Sequence, residues 1–395
     1  MRLLCTSRAG FGHFHPLVAV AQAARAAGHE VAFAMPASFA ATVEGLGFRW
    51  FAAGLDDSSP AYARFIEERN RLPGRERAIF MRRGTAALLG PAMADDVFRV
   101  CETWRPDLFL RDAADYGGCV AAEVLGVPHA AHRAANQPKA ATRAIIAEPL
   151  AALRAAHGLA PDPALRMLDR YLVLSPFPPA LDASGEAAPP TLHTYRATPF
   201  DRSGDEDPPD WPLPLPDAPL VFATLGTAIN MRTDLLRVFV EALRDERVNL
   251  VVTTGRNGDP DQFGPQPPHV RIERYIPQTL LFPRCDLVIS HGGSNTVLAA
   301  LTHGLPQVIV PITADQPQNA ERCASAGVAR VVPPADATAA SIREAALDVL
   351  AEPRYRLAAR RMRAEMAALP DLDGVVTLLE RLAAEKQPLH AAASC

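Results

Sequence analysis

No run of apolar residues in this chain is long enough to cross a bilayer, and the opening MRLLCTSR lacks an apolar core of signal-peptide length. These absences exclude stable membrane insertion and point to a cytoplasmic protein. Net charge is also scarce: 40 Lys and Arg stand against 44 Asp and Glu, leaving -4. So balanced a chain carries no electrostatic footprint for nucleic acid. The six cysteines (Cys5, Cys101, Cys119, Cys285, Cys323, Cys395) are scattered, with no CxxC spacing. That argues against a metal knuckle or a disulfide framework and for reduced thiols. No repeat of short period is seen. What the chain does have is apolar bulk, 49% of 395 residues, enough for the two domains that its length favours.

Short apolar runs alternate with longer amphipathic ones. In the first half the strand candidates are Arg2 to Thr6, Glu30 to Ala34, Leu108 to Leu110, Pro128 to Ala130 and Leu172 to Leu174. In the second half they are Val221 to Thr224, Asn249 to Thr253, Leu287 to Ser290 and Gln307 to Ile309. Helical patterns lie between them, such as Leu17 to Ala27 and Thr233 to Leu243. The alternation predicts an α/β protein with parallel sheets. The Pro- and Asp-rich stretch between Phe200 and Leu220 cannot be a regular element and reads as a linker. The expected division is a domain over 1–200, a linker over 201–219, a second domain over 220–370, and a helix and tail over 371–395. Two such halves imply a cleft, because open α/β sheets bind ligands beyond the carboxyl ends of their strands.

The stretch Tyr275 to Asn319 carries the most information. A strand ending at Ser290 runs into His291-Gly292-Gly293, and a helix over Asn295 to His303 follows. Free backbone N–H groups and the positive end of the helix dipole converge there, which is the geometry of an anion site. His291 can donate to a phosphate oxygen, with Ser294, Asn295 and Thr296 at the helix start. The competing reading is a plain cap made by Ser294. The ATLGTAIN segment, with Gly226 and Thr227, offers a second wall. Downstream, Asp315 and Gln316 are suited to binding hydroxyls. In RYIPQ, the Ile276 backbone can pair with a nucleobase edge while Tyr275 lies near its face; the plain alternative is a strand exit. A phosphate holder followed by a hydroxyl reader points to a sugar nucleotide.

After the first strand comes SRAGFGHFHP. Pro16 is expected in the first turn of the next helix, which puts His13 in the loop before it. A neutral imidazole there can take a proton from a hydroxyl, or simply cap the loop. A dinucleotide fingerprint is disfavoured, since the third Gly is missing and no acidic residue falls at the expected distance. Asp112 follows the strand ending at Leu110 and can orient His13. Its rival Asp115 can instead cap the next helix. Phe11, Phe14 and Phe80 can form an apolar acceptor wall or pack as core. The segment from Asp56 to Leu89 is the least regular part of the first half. Its mixed charges, from Glu67 to Arg83, read as solvated helix faces or as a mobile lid. Asp205/Asp207, Asp259/Asp261 and Asp371/Asp373 read as surface loops or caps.

These residues resemble the GT-B glycosyltransferases of glycosyltransferase family one. The similarity is greatest to actinobacterial enzymes that attach dTDP-activated, often deoxygenated, sugars to natural products. It rests on Gly12-His13-x-x-Pro16, Ala27 to Val31, Arg105 to Pro128, TLGT, and HGGSNT with HGLP and ADQ at their spacing. The resemblance implies a GT-B fold, two Rossmann-like domains with parallel sheets facing across a cleft. It implies an N-terminal acceptor domain, a C-terminal nucleotide-sugar domain, and a last helix that crosses back to the first. His13 corresponds to the general base and Asp112 to its orienter. The turn from His291 to Thr296 corresponds to the diphosphate holder, and Asp315 and Gln316 to the donor-sugar site.

Two departures stand out. Plant relatives carry Trp in place of Tyr275, and Glu in place of Ala299, where it grips the ribose diol. A carboxylate for a diol is useless against 2′-deoxyribose, so Ala299 favours dTDP over UDP. Gln278 can still meet the 3′ hydroxyl. The expected reaction is inverting transfer of a sugar to a hydroxyl of a small-molecule acceptor such as a polyketide aglycone. It needs no cofactor or metal beyond the nucleotide-sugar co-substrate. A GT-B sugar-nucleotide epimerase and a non-catalytic sugar-nucleotide-binding partner are the alternatives. C- or N-glycosylation and a homodimer stay open.

Overall fold

The computed structural model describes residues 1–134, 140–181, 187–202, 211, 213–226, 232–256 and 258–391, with Arg75 as backbone only. The chain forms two compact units. The first comprises Met1–Pro176, Ser184–Tyr195 and Pro370–Cys395; the second comprises Phe177–Ala183 and Arg196–Leu369.

In the first unit the strands are β1 (Arg2–Thr6), β2 (Glu30–Met35), β3 (Arg49–Ala52), β4 (Leu108–Asp112), β5 (His129–His132), β6 (Leu172–Ser175) and β7 (Leu192–Thr194). They form one sheet of order β3-β2-β1-β4-β5-β6-β7, parallel at each pairing. The central strands β1 and β4 carry the apolar runs Leu3–Cys5 and Leu108–Leu110, buried because both faces are covered by helices. On one face the helix Gly90–Trp104 packs Met93, Val97 and Trp104 onto Leu4, Ala32 and Phe109. The C-terminal helix Leu372–Glu385 also belongs to this unit. It packs against the helix Phe11–Ala26, and Glu380 pairs with His29 at 2.9 Å.

In the second unit the strands are β8 (Leu220–Thr224), β9 (Asn249–Thr253), β10 (Val270–Glu273), β11 (Leu287–Ser290), β12 (Gln307–Ile309) and β13 (Ala329–Val331). Their order, β10-β9-β8-β11-β12-β13, repeats that of the first sheet. In both sheets the order reverses at one place, between β1 and β4 and between β8 and β11. The loops leaving those strands splay apart and open a crevice.

Several sequence expectations are corrected. The first helix begins at Phe11, so Pro16 lies inside it and His13 sits in its first turn rather than in the preceding loop. The segment from Asp56 to Leu89 is mostly regular, with helices over Pro60–Arg71 and Gly74–Gly84 and a π-helical turn over Thr85–Leu89. Its charges lie on solvated faces, as in the Arg71–Glu67 pair at 2.5 Å. Asp259 and Asp371 are helix caps. Asp205 and Asp207 lie outside the described residues, as do Thr227 and Cys395. The five described cysteines are buried free thiols.

Candidate active site

In the first unit, the turn out of β1 depends on Gly10, whose φ of 131° is closed to most side chains. The helix that follows presents His13 to the end of β4. His13 Nδ1 lies 2.8 Å from Asp112 Oδ2, and Asp112 is only 2% exposed. The other ring nitrogen, Nε2, is hydrogen-bonded by the guanidinium of Arg8. A guanidinium can only donate, so Nε2 must accept and the proton must sit on Nδ1, where Asp112 receives it. The imidazole is thus held in the tautomer of a general base. Burial pushes the Asp112 carboxyl up, but His13 and Arg8 outweigh it and hold the group below its usual range.

Asp115 does something else. It caps the helix Tyr116–Leu125 by accepting from Gly118 N at 3.1 Å. Burial pushes its carboxyl up, against hydrogen bonds from Thr6 and Gly118. The strand end that carries Asp112 is braced from behind. Arg111, fully buried, donates to Leu168 O at 2.6 Å and to His129 Nδ1 at 3.3 Å. Next to Arg8 lies a small cavity of about 20 Å³, lined by Arg8, Leu55, Tyr62, Met93, Asp115 and Tyr116 among others.

The three phenylalanines have separate fates. Phe14 is not part of any wall: it is fully buried, because it faces the sheet from its helix, and it packs edge-on against Phe33 and Phe39. Phe11 is partly exposed and touches Phe39 and His15. Phe80 stacks on Phe65 at 5.1 Å, between the two charged helices.

In the second unit, Gly226 after β8 and His291 after β11 meet at the crossover of the sheet. A Cβ on Gly226 would stand 2.8 Å from the His291 ring, and one on Gly293 would stand 2.6 Å from it. Gly292 has φ 78°. The helix spans Ser294–Thr302, starting one residue earlier than the sequence pattern indicates. Gly293 is its N-cap, and no side chain caps it. The amides of Ser294, Asn295 and Thr296 therefore lack the side-chain acceptor that usually closes a helix start. Ser294 instead donates its hydroxyl to Asp315. His291 is buried, which pushes its pKa down to about 4 against the pull of Asp315, so the ring is neutral. Its Nδ1 has no partner among the described residues.

Asn319 has no role in the sequence reading, yet it ties this site together. Its amide donates to Gly292 O at 2.9 Å, to Ser294 Oγ at 3.1 Å and to Asp315 Oδ2 at 3.0 Å. The available signal is its position four residues after Asp315, one helical turn along the helix Gln316–Ser325. Gln316 faces the loop before it, where its Oε1 accepts from Ile312 N and Thr313 N, both at 2.8 Å. Gln278 donates to Thr296 Oγ1 at 3.0 Å. Ile276 and Ala299 are buried in one apolar cluster with Leu281 and Val288. The Tyr275 hydroxyl donates to Asp201 O, and the Arg256 guanidinium lies 3.9 Å from its ring centroid.

Two parallel sheets of this order, each with a candidate site at its crossover, have the architecture of the GT-B class of glycosyltransferases, and solved structures of that class superimpose on the chain. Glycosyltransferase VinC in complex with dTDP does so with a TM-score of 0.79 at 26% identity, over 98% of this chain and 100% of that one. The spinosyn rhamnosyltransferase SpnG complexed with spinosyn aglycone gives 0.80 at 26% identity, over 96% and 100%. Residues 22–147 and 240–382 match the N- and C-terminal domains of the erythromycin biosynthesis protein CIII-like family. The 10-deoxymethynolide desosaminyltransferase of Streptomyces venezuelae is 30% identical, over 98% of both chains. The L-demethylnoviosyl transferase of Streptomyces niveus is 31% identical, over 98% of this chain and 99% of its own. The chain belongs to the erythromycin biosynthesis protein CIII-like family of actinobacterial natural-product glycosyltransferases. Among the described residues, no helix is long and apolar enough to cross a membrane, and no His, Cys, Asp and Glu cluster could hold a metal ion.

Proposed function

We propose that this glycosyltransferase moves a deoxysugar from a dTDP donor to a hydroxyl of a small-molecule natural product, with inversion at the anomeric carbon. The observation that carries this reading is the His13–Asp112 pair at 2.8 Å, with its proton on Nδ1 and its Nε2 in the accepting form. The acceptor binds on the first unit with its reacting hydroxyl at His13 Nε2. His13 Nε2 takes its hydroxyl proton as the oxygen attacks, and Asp112 stabilises the imidazolium that forms. The diphosphate leaves from the opposite face of the sugar.

Its growing negative charge is met by the amides of Ser294 to Thr296, the helix dipole and an N–H of neutral His291. Thr227 is assigned to the same group of donors from its sequence alone. Asp315 and the amide of Gln316 bind sugar hydroxyls, while Tyr275, the Ile276 backbone and Gln278 hold the nucleoside. Two observations support dTDP. Relatives are described in complex with it. Ala299 also sits in an apolar cluster that offers no carboxylate to a ribose diol.

The test is His13→Ala. Turnover of a dTDP-sugar should fall roughly 10²–10⁴-fold while dTDP affinity stays within about twofold. Equal loss of both would make His13 a structural residue and overturn the reading.

A further inference from the structure

Arg8 is a cation beside the base, and the chemistry proposed above gives it nothing to do. Its guanidinium hydrogen-bonds His13 Nε2, the atom that must receive the acceptor proton. The same side chain lines the adjoining cavity. Its Nε is buried and has no hydrogen-bond partner among the described residues. It also forms no ion pair among the described residues: Asp112 feels its charge but lies against His13, and Asp115 accepts from Gly118 N as a helix cap. Tyr116, whose hydroxyl burial pushes up to about 12, offers no anion either. The cavity therefore contains a guanidinium with N–H groups to give, and the carboxyl in its lining, Asp115, is engaged as a helix cap.

An acceptor hydroxyl can reach Nε2 only if Arg8 gives up that bond. Once displaced, Arg8 is still within a side chain's swing of the oxygen that replaced it. A half-buried guanidinium whose Nε is already without a partner loses more when its one side-chain acceptor is displaced and not replaced. We propose that Arg8 is the specificity-determining contact for the acceptor. It covers Nε2 in the resting enzyme, yields to the entering hydroxyl, and then donates to a second electron-rich oxygen of the same molecule. That oxygen is a carbonyl or carboxylate on a carbon next to, or one beyond, the carbon bearing the reacting hydroxyl. An acceptor with a lone hydroxyl would leave Arg8 unpaired and bind more weakly.

The inference rests on His13 being the base, but its tests do not need turnover. The first is carbethoxylation of histidines by diethyl pyrocarbonate, read residue by residue by mass spectrometry. Uncovering Nε2 in Arg8→Ala should label His13 several-fold faster than in wild type, with Arg8→Lys in between. The buried His132 and His291 should be unchanged, which separates uncovering from unfolding. An unchanged His13 rate would overturn the cover.

The second test is fluorescence titration with two naphthol probes. 3-Hydroxy-2-naphthoate carries its carboxylate beside the hydroxyl; 6-hydroxy-2-naphthoate carries it on the far ring. Wild type should bind the first about tenfold more tightly, the size of one hydrogen bond to a charged group. Arg8→Ala should bind both alike, and Arg8→Lys should keep part of the difference. Equal binding or no binding by wild type, or a preference that survives in Arg8→Ala, would overturn the assignment. Should His13→Ala keep full turnover while these results hold, the base assignment falls and the Arg8 contact stands.

Discussion

The proton of His13 stays on Nδ1 because Asp112 accepts it there, 2.8 Å away and out of reach of water. Asp112→Asn replaces that acceptor with an amide that can donate to Nδ1 and so favour the wrong tautomer. Turnover should drop roughly 10²–10⁴-fold with little change in melting temperature or in dTDP affinity. A matching loss of stability would instead mark Asp112 as a brace of the β4 end. Asp115, three residues on, should behave in the opposite way. Asp115→Ala removes a helix cap and should cost about 1 kcal/mol in denaturant unfolding. At this scale the sequence exposes residues whose chemistry their position demands. His13 follows a Gly-rich strand exit and Asp112 a strand end, so both can be named. Sequence alone left two roles open for Asp112 and Asp115, and only the geometry separates the cap from the partner of His13. Arg8 and Asn319 were invisible because nothing about an isolated Arg or Asn says which way its side chain turns.

The turn between β11 and the helix Ser294–Thr302 works because its backbone has no Cβ in the way. Alanine at Gly292 would meet Ile309 Cγ2 at 2.6 Å and take a φ of 78°. Strain alone costs about 1–2 kcal/mol. Gly292→Ala should therefore lower both the unfolding free energy and the affinity for dTDP, the latter at least tenfold. Retained affinity would remove the turn from the donor site. Asn319→Ala breaks three hydrogen bonds that join this turn to the Asp315 loop, and should weaken dTDP binding without touching the apolar core. Elements were legible where they are buried: β1, β9, β11 and β12 have the bounds that their apolar runs mark. The four strands that left no mark, β3, β7, β10 and β13, are the four edges of the two sheets. An edge strand is short and half exposed, so it carries no continuous apolar run. Pro16 misled the helix start, since it reads as a first-turn residue but lies a turn further in.

Across the whole molecule, stability should depend on acid pH through histidines buried in the neutral form. Burial lowers the pKa of His129, His132 and His291 to about 4. The unfolded chain binds protons at these sites below about pH 6.5 while the native state does not. Their contribution is complete above that pH and is lost as pH falls toward 4, at a few kcal/mol per site by order of magnitude. Chemical-denaturant midpoints should decline from pH 7 to pH 4.5; a flat profile would mean these rings accept protons in place. The parallel α/β class was legible at this scale from the alternation of patterns. The interleaving of the units was not, because a segment such as Phe177–Ala183 joins the second core through packing of Phe177 and Leu181.

The most direct test of the sugar-nucleotide assignment is calorimetric titration of the purified protein with dTDP and, separately, with UDP. Binding of dTDP at least about tenfold tighter than UDP, one hydrogen-bond's worth of discrimination, is the predicted result. Tighter binding of UDP would contradict the inference from Ala299, and binding of neither would contradict the donor site at the turn from His291 to Thr296.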